Sequence, residues 1–481
     1  MRKAGILLAV SSLPSRHGVG DFGPSSYRYI DLLKKCKIKI WQILPLNPVG
    51  FGNSPYQSCS SEAIDEIYVS LDELVEQGLI KKSPSFCEQS CKVDFAQVRA
   101  FKRPFLIEAL NTFKPDEQYK KFQQLPWVQS YVLFRALKEK NDDLPWNEWS
   151  KEEKNKTQID VDPFCVKYHL FIQYILYCQW QKLHCYATRN GIEILGDIPM
   201  YVGFDSSDVW SNQDCFLLQD GEPQFIAGVP PDYFSETGQR WGNPIYDWDQ
   251  LQQRGFDFWI ERLKYVAQMY DCIRIDHFRA FDTYWKISAS CPTAIEGSWE
   301  EAPGYAFFDQ LFKSYPKIQI VAEDLGNLRD EVFVLRDYYG FKGMKVIQFT
   351  YSLESGYDEF EDRENLIIYT GTHDNQTLQG WLDSAPLAIT QKVNMRLKQS
   401  GYPYDNAVMN LIAYTMESVA EIAIILMQDV LELDDSARMN VPNQVNEINW
   451  VWKLADFDEF EKKIPILRKL IEDTKRDGGE V

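Results

Sequence analysis

Three acidic positions in this 481-residue chain close apolar runs, each beside a residue able to tune it. In RIDHFR, Arg274 and Asp276 are two apart, so on a strand they project to one side, and the guanidinium would keep the carboxylate ionised, as a nucleophile must be. In AEDLG, Glu323 and Asp324 point opposite ways, so only one faces inward. Glu323 is the better proton donor, because that work wants a carboxyl raised by burial or a like-charged neighbour. In GTHDNQT, Asp374 stands between His373 and Asn375, a cluster able to hold hydroxyls and steady positive charge. Retaining cleavage of a glycosidic bond needs such a set: an acid for the leaving oxygen and a carboxylate about 5 Å away on the opposite ring face.

The elements that would carry these groups are eight short apolar runs separated by segments of helical period. They are 5–10, 38–46, 192–199, 271–276, 318–324, 344–350, 365–374 and 421–429. Their continuous rather than alternating apolarity predicts parallel strands covered on both faces, hence an α/β fold, a (β/α)8 TIM barrel with large inserted helical and loop subdomains. Barrel enzymes place their chemistry at the C-terminal strand ends, where all three carboxylates fall.

A plain barrel takes about 250 residues, so a single catalytic barrel over 1–481 must carry insertions. Residues 47–191, between the second and third strands, hold amphipathic stretches and predict a largely helical insertion. Residues 203–257, after the third strand, are loop-like and rich in Gly, Pro, Trp, Tyr and Asp, and predict a loop covering the active site.

A net charge of -19 opposes non-specific binding to nucleic acid or anionic membranes, while a neutral partner such as sugar is indifferent to it. Aromatic residues make up 14%, and their surplus in Gly- and Pro-rich stretches suits stacking on sugar faces. The ten cysteines lack metal-ligand spacing, five histidines are too few for a converging metal site, and neither metal nor cofactor is expected. Ser11 and Ser12 end the first apolar run before an export core forms, and no run spans a bilayer, so the expected setting is cytoplasmic.

With GNSPYQS at 52–58, GDIPMYV at 196–202 and GVPPDYFSETGQRWGNPIYDWD at 228–249, the three acidic motifs resemble the amylomaltases, the 4-α-glucanotransferases related to the α-amylase clan. The resemblance runs from GILLAVSSLPS to RMNVP. It implies Asp276 as nucleophile, Glu323 as general acid/base and Asp374 as transition-state stabiliser. Arg274, His277 and His373 would surround the reacting sugar, Tyr56 would stack on it, and Asp197 would line the cleft. Asp232, Tyr233 and Trp241 fall in the family's lid loop, where Trp241 would stack on glucose and Asp232 would hold hydroxyls. His17, His169 and His184 are expected to be structural.

The implied reaction transfers an α-1,4-glucan segment from a maltooligosaccharide to the 4-hydroxyl of glucose or another glucan. One departure stands out: after RMN-x-P the family usually has Gly-Thr, and this chain has Asn443 and Gln444. A hydrolytic α-glucanase on the same scaffold is the nearest rival, and a silent glucan-binding protein the second.

Overall fold

The computed structural model describes residues 1–86, 90–231, 235–326, 328–351 and 363–479. Eight parallel strands form its centre: β1 (Lys3–Leu7), β2 (Ile40–Gln42), β3 (Glu193–Ile198), β4 (Cys272–Ile275), β5 (Ile320–Ala322), β6 (Gly343–Val346), β7 (Leu366–Tyr369) and β8 (Ile422–Leu426). Each overlaps one of the eight apolar runs. Every strand is laddered to its sequence neighbours except across the β5–β6 pair, and β8 returns to β1 with Lys3 opposite Ile422. The ring closes between β5 and β6 through one parallel bridge, Val321 with Lys342, where Ala322 N–H donates to the Lys342 carbonyl at 2.9 Å. This near-closure fixes which strand ends meet at the mouth.

The strands are buried nearly throughout because helices cover the barrel: Pro24–Lys35, Asp257–Val266, Gly304–Ser314, Asp330–Tyr338, Ala407–Glu417 and Asp458–Asp473 among them. Local chemistry starts several. Pro24 occupies the first turn of its helix, where a missing N–H costs nothing, and the Asn406 side chain accepts the Met409 N–H.

Between β2 and β3 stand Phe95–Thr112, Pro126–Lys140 and the 27-residue helix Pro163–Arg189. The last begins with Asp162 accepting the Phe164 N–H and Pro163 at its first position. Its fully buried Trp180 reaches the barrel layer, with its ring 5.1 Å from that of Phe22 and its Nε1 donating to the Met269 carbonyl at 3.0 Å. The long helices therefore share the barrel's core.

The segment 203–257 differs from a plain loop. It contributes two strands, Phe225–Val229 and Gln239–Pro244, to a four-stranded antiparallel sheet completed by Thr283–Ser288 and Ser298–Glu301 from beyond β4. Gln239–Pro244 pairs locally with Phe225–Val229, whose other partner, Thr283–Ser288, lies some sixty residues downstream, and a register shift between Ile226 and Gly228 interrupts the local pair. No helix among the described residues is long and apolar enough to cross a membrane.

Candidate active site

Strand β4 ends at Ile275, and the chain then turns sharply. Asp276 donates its N–H to the Ile198 carbonyl at 2.9 Å, and His277 takes a left-handed backbone (φ 52°) before the short helix Phe278–Phe281. Such a conformation costs a non-glycine residue about 1–3 kcal/mol. It aims the His277 N–H at Glu323 Oε2, 2.8 Å away, while the Leu325 N–H donates to Oε1 at 3.1 Å. The Glu323 N–H in turn reaches the Ile275 carbonyl at 3.1 Å. The ends of β4 and β5 thus hold Asp276 and Glu323 side by side.

Burial pushes the Glu323 carboxyl up to about 7, with the Asp276 charge adding to it and Arg274 and the two backbone donors opposing. Its neighbour Asp324 turns the other way, accepting the Met344 N–H at 2.7 Å and pairing with Arg336. The opposite facing of these adjacent carboxylates follows the strand alternation.

Arg274 does more than flank Asp276. Its Nη1 donates to both oxygens of buried Asp197 at 2.8 Å, and its Nη2 lies 3.1 Å from Asp276 Oδ1. Sharing weakens its hold on Asp276. Burial raises that carboxyl above the ordinary range, helped by Asp197 and Asp374, even though Arg274 and His373 oppose it. Arg274 thus favours the ionised Asp276 as its spacing predicts, while local spacing did not reveal the second carboxylate on the same guanidinium.

Asp197, inside β3, also receives the Tyr56 hydroxyl at 2.9 Å. The Tyr56 ring stacks on His373, with centroids 5.0 Å apart and planes at 14°. Beyond β7, Asp374 is held from the far side. Asn440 Nδ2 donates to its Oδ1 at 2.6 Å, Arg438 Nη2 donates to its carbonyl at 2.6 Å, and His373 Nε2 lies 3.4 Å from Oδ1. Asn375 braces the turn, its Oδ1 accepting from the N–H and the hydroxyl of Thr372, each at 2.8 Å.

The Trp241 ring stands edge-on to His277 at 4.8 Å, and Gln57 Nε2 holds the Trp241 carbonyl at 3.3 Å and Asn243 Oδ1 at 3.0 Å. Burial, with Arg279 nearby, lowers the His277 imidazole to about 3, so it is neutral at ordinary pH. Its Nε2 is buried with no hydrogen-bond partner among the described residues. A neutral ring nitrogen so placed can meet a sugar hydroxyl.

The structure therefore gathers Tyr56, Asp197, Trp241, Arg274, Asp276, His277, Glu323, His373 and Asp374 at one end of the barrel. Asp232 and Tyr233 lie outside the described residues. His17, His169 and His184 pair elsewhere, with Asp21, Glu139 and Asp271. Arg438, Asn440 and Trp450 were not singled out from sequence. The RMN motif contained the first two without hinting that they grip Asp374.

Asn443, where the resembling family usually has glycine, adopts φ 62°. Asparagine tolerates this left-handed region better than most side chains, so the substitution keeps the backbone a glycine would take.

Comparison with known proteins agrees with this geometry. A family model described as 4-alpha-glucanotransferase matches residues 8–458. The chain is 40% identical to the 4-alpha-glucanotransferase of Streptococcus pneumoniae, over 95% of this chain and 94% of that one. It is 39% identical to that of Thermus thermophilus, over 99% of each. Among solved structures, amylomaltase from Streptococcus agalactiae in complex with acarbose superposes with a TM-score of 0.93 at 34% identity, covering 99% of this chain and 100% of that one. A barrel whose strand ends present three carboxylates, matched along almost its whole length by these enzymes, belongs to the 4-alpha-glucanotransferase family of glycosyl-transferring enzymes.

Proposed function

We propose that Asp276 attacks the anomeric carbon of an α-1,4-linked glucan while Glu323 protonates the departing 4-oxygen. The C1–O bond breaks as the C1–Asp276 ester bond forms, leaving a covalent glycosyl-enzyme. Glu323, now a carboxylate, takes the proton from the 4-hydroxyl of glucose or another glucan, whose oxygen displaces Asp276. Asp374 stabilises the positive charge at the anomeric centre in both steps, held in place by Asn440. Maltooligosaccharides are the donors, and the acarbose bound to the Streptococcus agalactiae amylomaltase supports this substrate class.

The observation that carries the reading is the placement of Glu323. Two backbone N–H groups fix its oxygens beside Asp276, and burial holds it near 7, where it can give and regain a proton at neutral pH.

Arg274 links Asp197 to Asp276 beneath the sugar, Tyr56 and His373 offer it a ring face, and His277 takes a hydroxyl. Trp241, set against His277, covers this side of the cleft and favours a sugar acceptor over water.

Asp276→Asn should abolish transfer from maltotriose while near-ultraviolet circular dichroism stays native. Near-normal activity in that variant would end the assignment. With α-maltosyl fluoride, whose leaving group needs no proton, Glu323→Gln should accumulate a glycosyl-enzyme visible by mass spectrometry. Wild-type enzyme on maltotriose should yield glucose together with maltodextrins longer than the donor; only shorter sugars would mark a hydrolase.

A further inference from the structure

The chain from Met439 to Trp450 leaves the site and returns to it. At one end the Asn440 N–H donates to the His373 carbonyl at 3.1 Å and its side chain holds Asp374. At the other end Trp450 comes back, its N–H donating to the Met439 carbonyl at 2.7 Å. In between, Asn449 closes the loop. Its Oδ1 accepts the Val441 N–H at 3.0 Å, and its Nδ2 donates to the carbonyls of Val441 and Gln444 at 3.1 and 2.9 Å.

Trp450 carries φ 68°. For a bulky side chain this left-handed backbone is an outlier, and it persists only where surrounding contacts outweigh about 1–3 kcal/mol of strain. The contacts here are specific. The buried indole lies 5.7 Å from the Tyr56 ring at 43° and 5.6 Å from the His373 ring at 38°, and those two rings stack on each other. Tyr56 is therefore fixed at its hydroxyl by Asp197, on its face by His373, and on a third side by the indole.

We infer that Trp450 is a positioning residue for the reacting subsite, holding Tyr56 and His373 in the arrangement that meets the sugar. The inference rests on the site assignment made above. Without the indole both rings gain freedom, and the sugar loses the orientation required between Asp276 and Asp374. The loss falls on the transition state rather than on ground-state binding, because the loosened rings still present apolar surface to the glucan.

The test compares Trp450→Phe, Trp450→Ala, Tyr56→Ala and Tyr56→Ala/Trp450→Ala in maltotriose disproportionation. Trp450→Ala should lose about 30-fold in kcat/KM, mostly in kcat, whereas Trp450→Phe should stay within about threefold of wild type. The double variant should lose less than the product of the two single losses, since removing Tyr56 already removes part of what Trp450 positions. A folded Trp450→Ala within about twofold of wild type, or a double variant whose loss is the product of the two single losses, would overturn the inference. Should Trp450→Ala not fold, Trp450→Leu keeps the apolar volume without the ring plane and serves the same comparison. An active Asp276→Asn enzyme would sink the site assignment itself, a result distinguishable from any behaviour at Trp450.

Discussion

Arg274 grips Asp197 with one guanidinium nitrogen at 2.8 Å from each carboxylate oxygen, and both side chains are almost wholly buried. Asp197 anchors Tyr56 and Arg274 touches Asp276, so this one pair joins the sugar platform to the nucleophile. Arg274→Ala leaves Asp197 buried and without its cation, which should cost about 3–5 kcal/mol of stability, read by chemical denaturation. Arg274→Lys restores a charge without the two-pronged geometry and should remain at least about tenfold down in kcat while recovering part of the stability.

The pH dependence should follow Glu323. A group raised to about 7 is protonated below that value, so proton donation to the leaving oxygen weakens and kcat/KM falls as pH climbs through about 7. The acid limb should lie above the ordinary carboxylate range, because burial raises Asp276, which must be ionised to attack. Asp276→Asn removes a charge that raises Glu323, so the Glu323 titration followed by carbon NMR should move downward; an unmoved titration would contradict the proximity of the two.

Asn440 should matter to rate more than to fold. Its amide places Asp374 by a single 2.6 Å hydrogen bond, and Asn440→Ala should lower kcat by about 10- to 100-fold with little change in KM. Asn440→Asp sets a like charge against Asp374 and should be the slower of the two. Steady-state kinetics on maltotriose separates them, and equal, near-wild-type rates would remove Asn440 from the mechanism.

Trp180 fastens the inserted helices to the barrel. Trp180→Ala should lose about 3–5 kcal/mol, because it opens a cavity between Pro163–Arg189 and the barrel and frees the Met269 carbonyl. A loss under about 1 kcal/mol by denaturant titration would mean the inserted helices lean only lightly on the barrel.

Sequence by itself determined the barrel and the three carboxylates. Eight apolar runs without alternation admit parallel strands buried on both faces, and acidic residues at their C-terminal ends must gather at one mouth once the ring closes. It also determined that only one of Glu323 and Asp324 faces inward, since adjacent residues on a strand point oppositely, and proton-donor chemistry favoured Glu323. Only the tertiary structure decided how the groups tune one another. That Arg274 serves two carboxylates, that burial outweighs it at Asp276, and that Asn440 and Trp450 support the Asp374 side depend on residues tens to hundreds of positions apart. The strand Phe225–Val229 was likewise hidden, because its partner Thr283–Ser288 lies beyond β4. Periodicity reports which face of an element is buried, whereas hydrogen bonds, strain and charge sharing arise between elements and exist only once the chain has closed on itself.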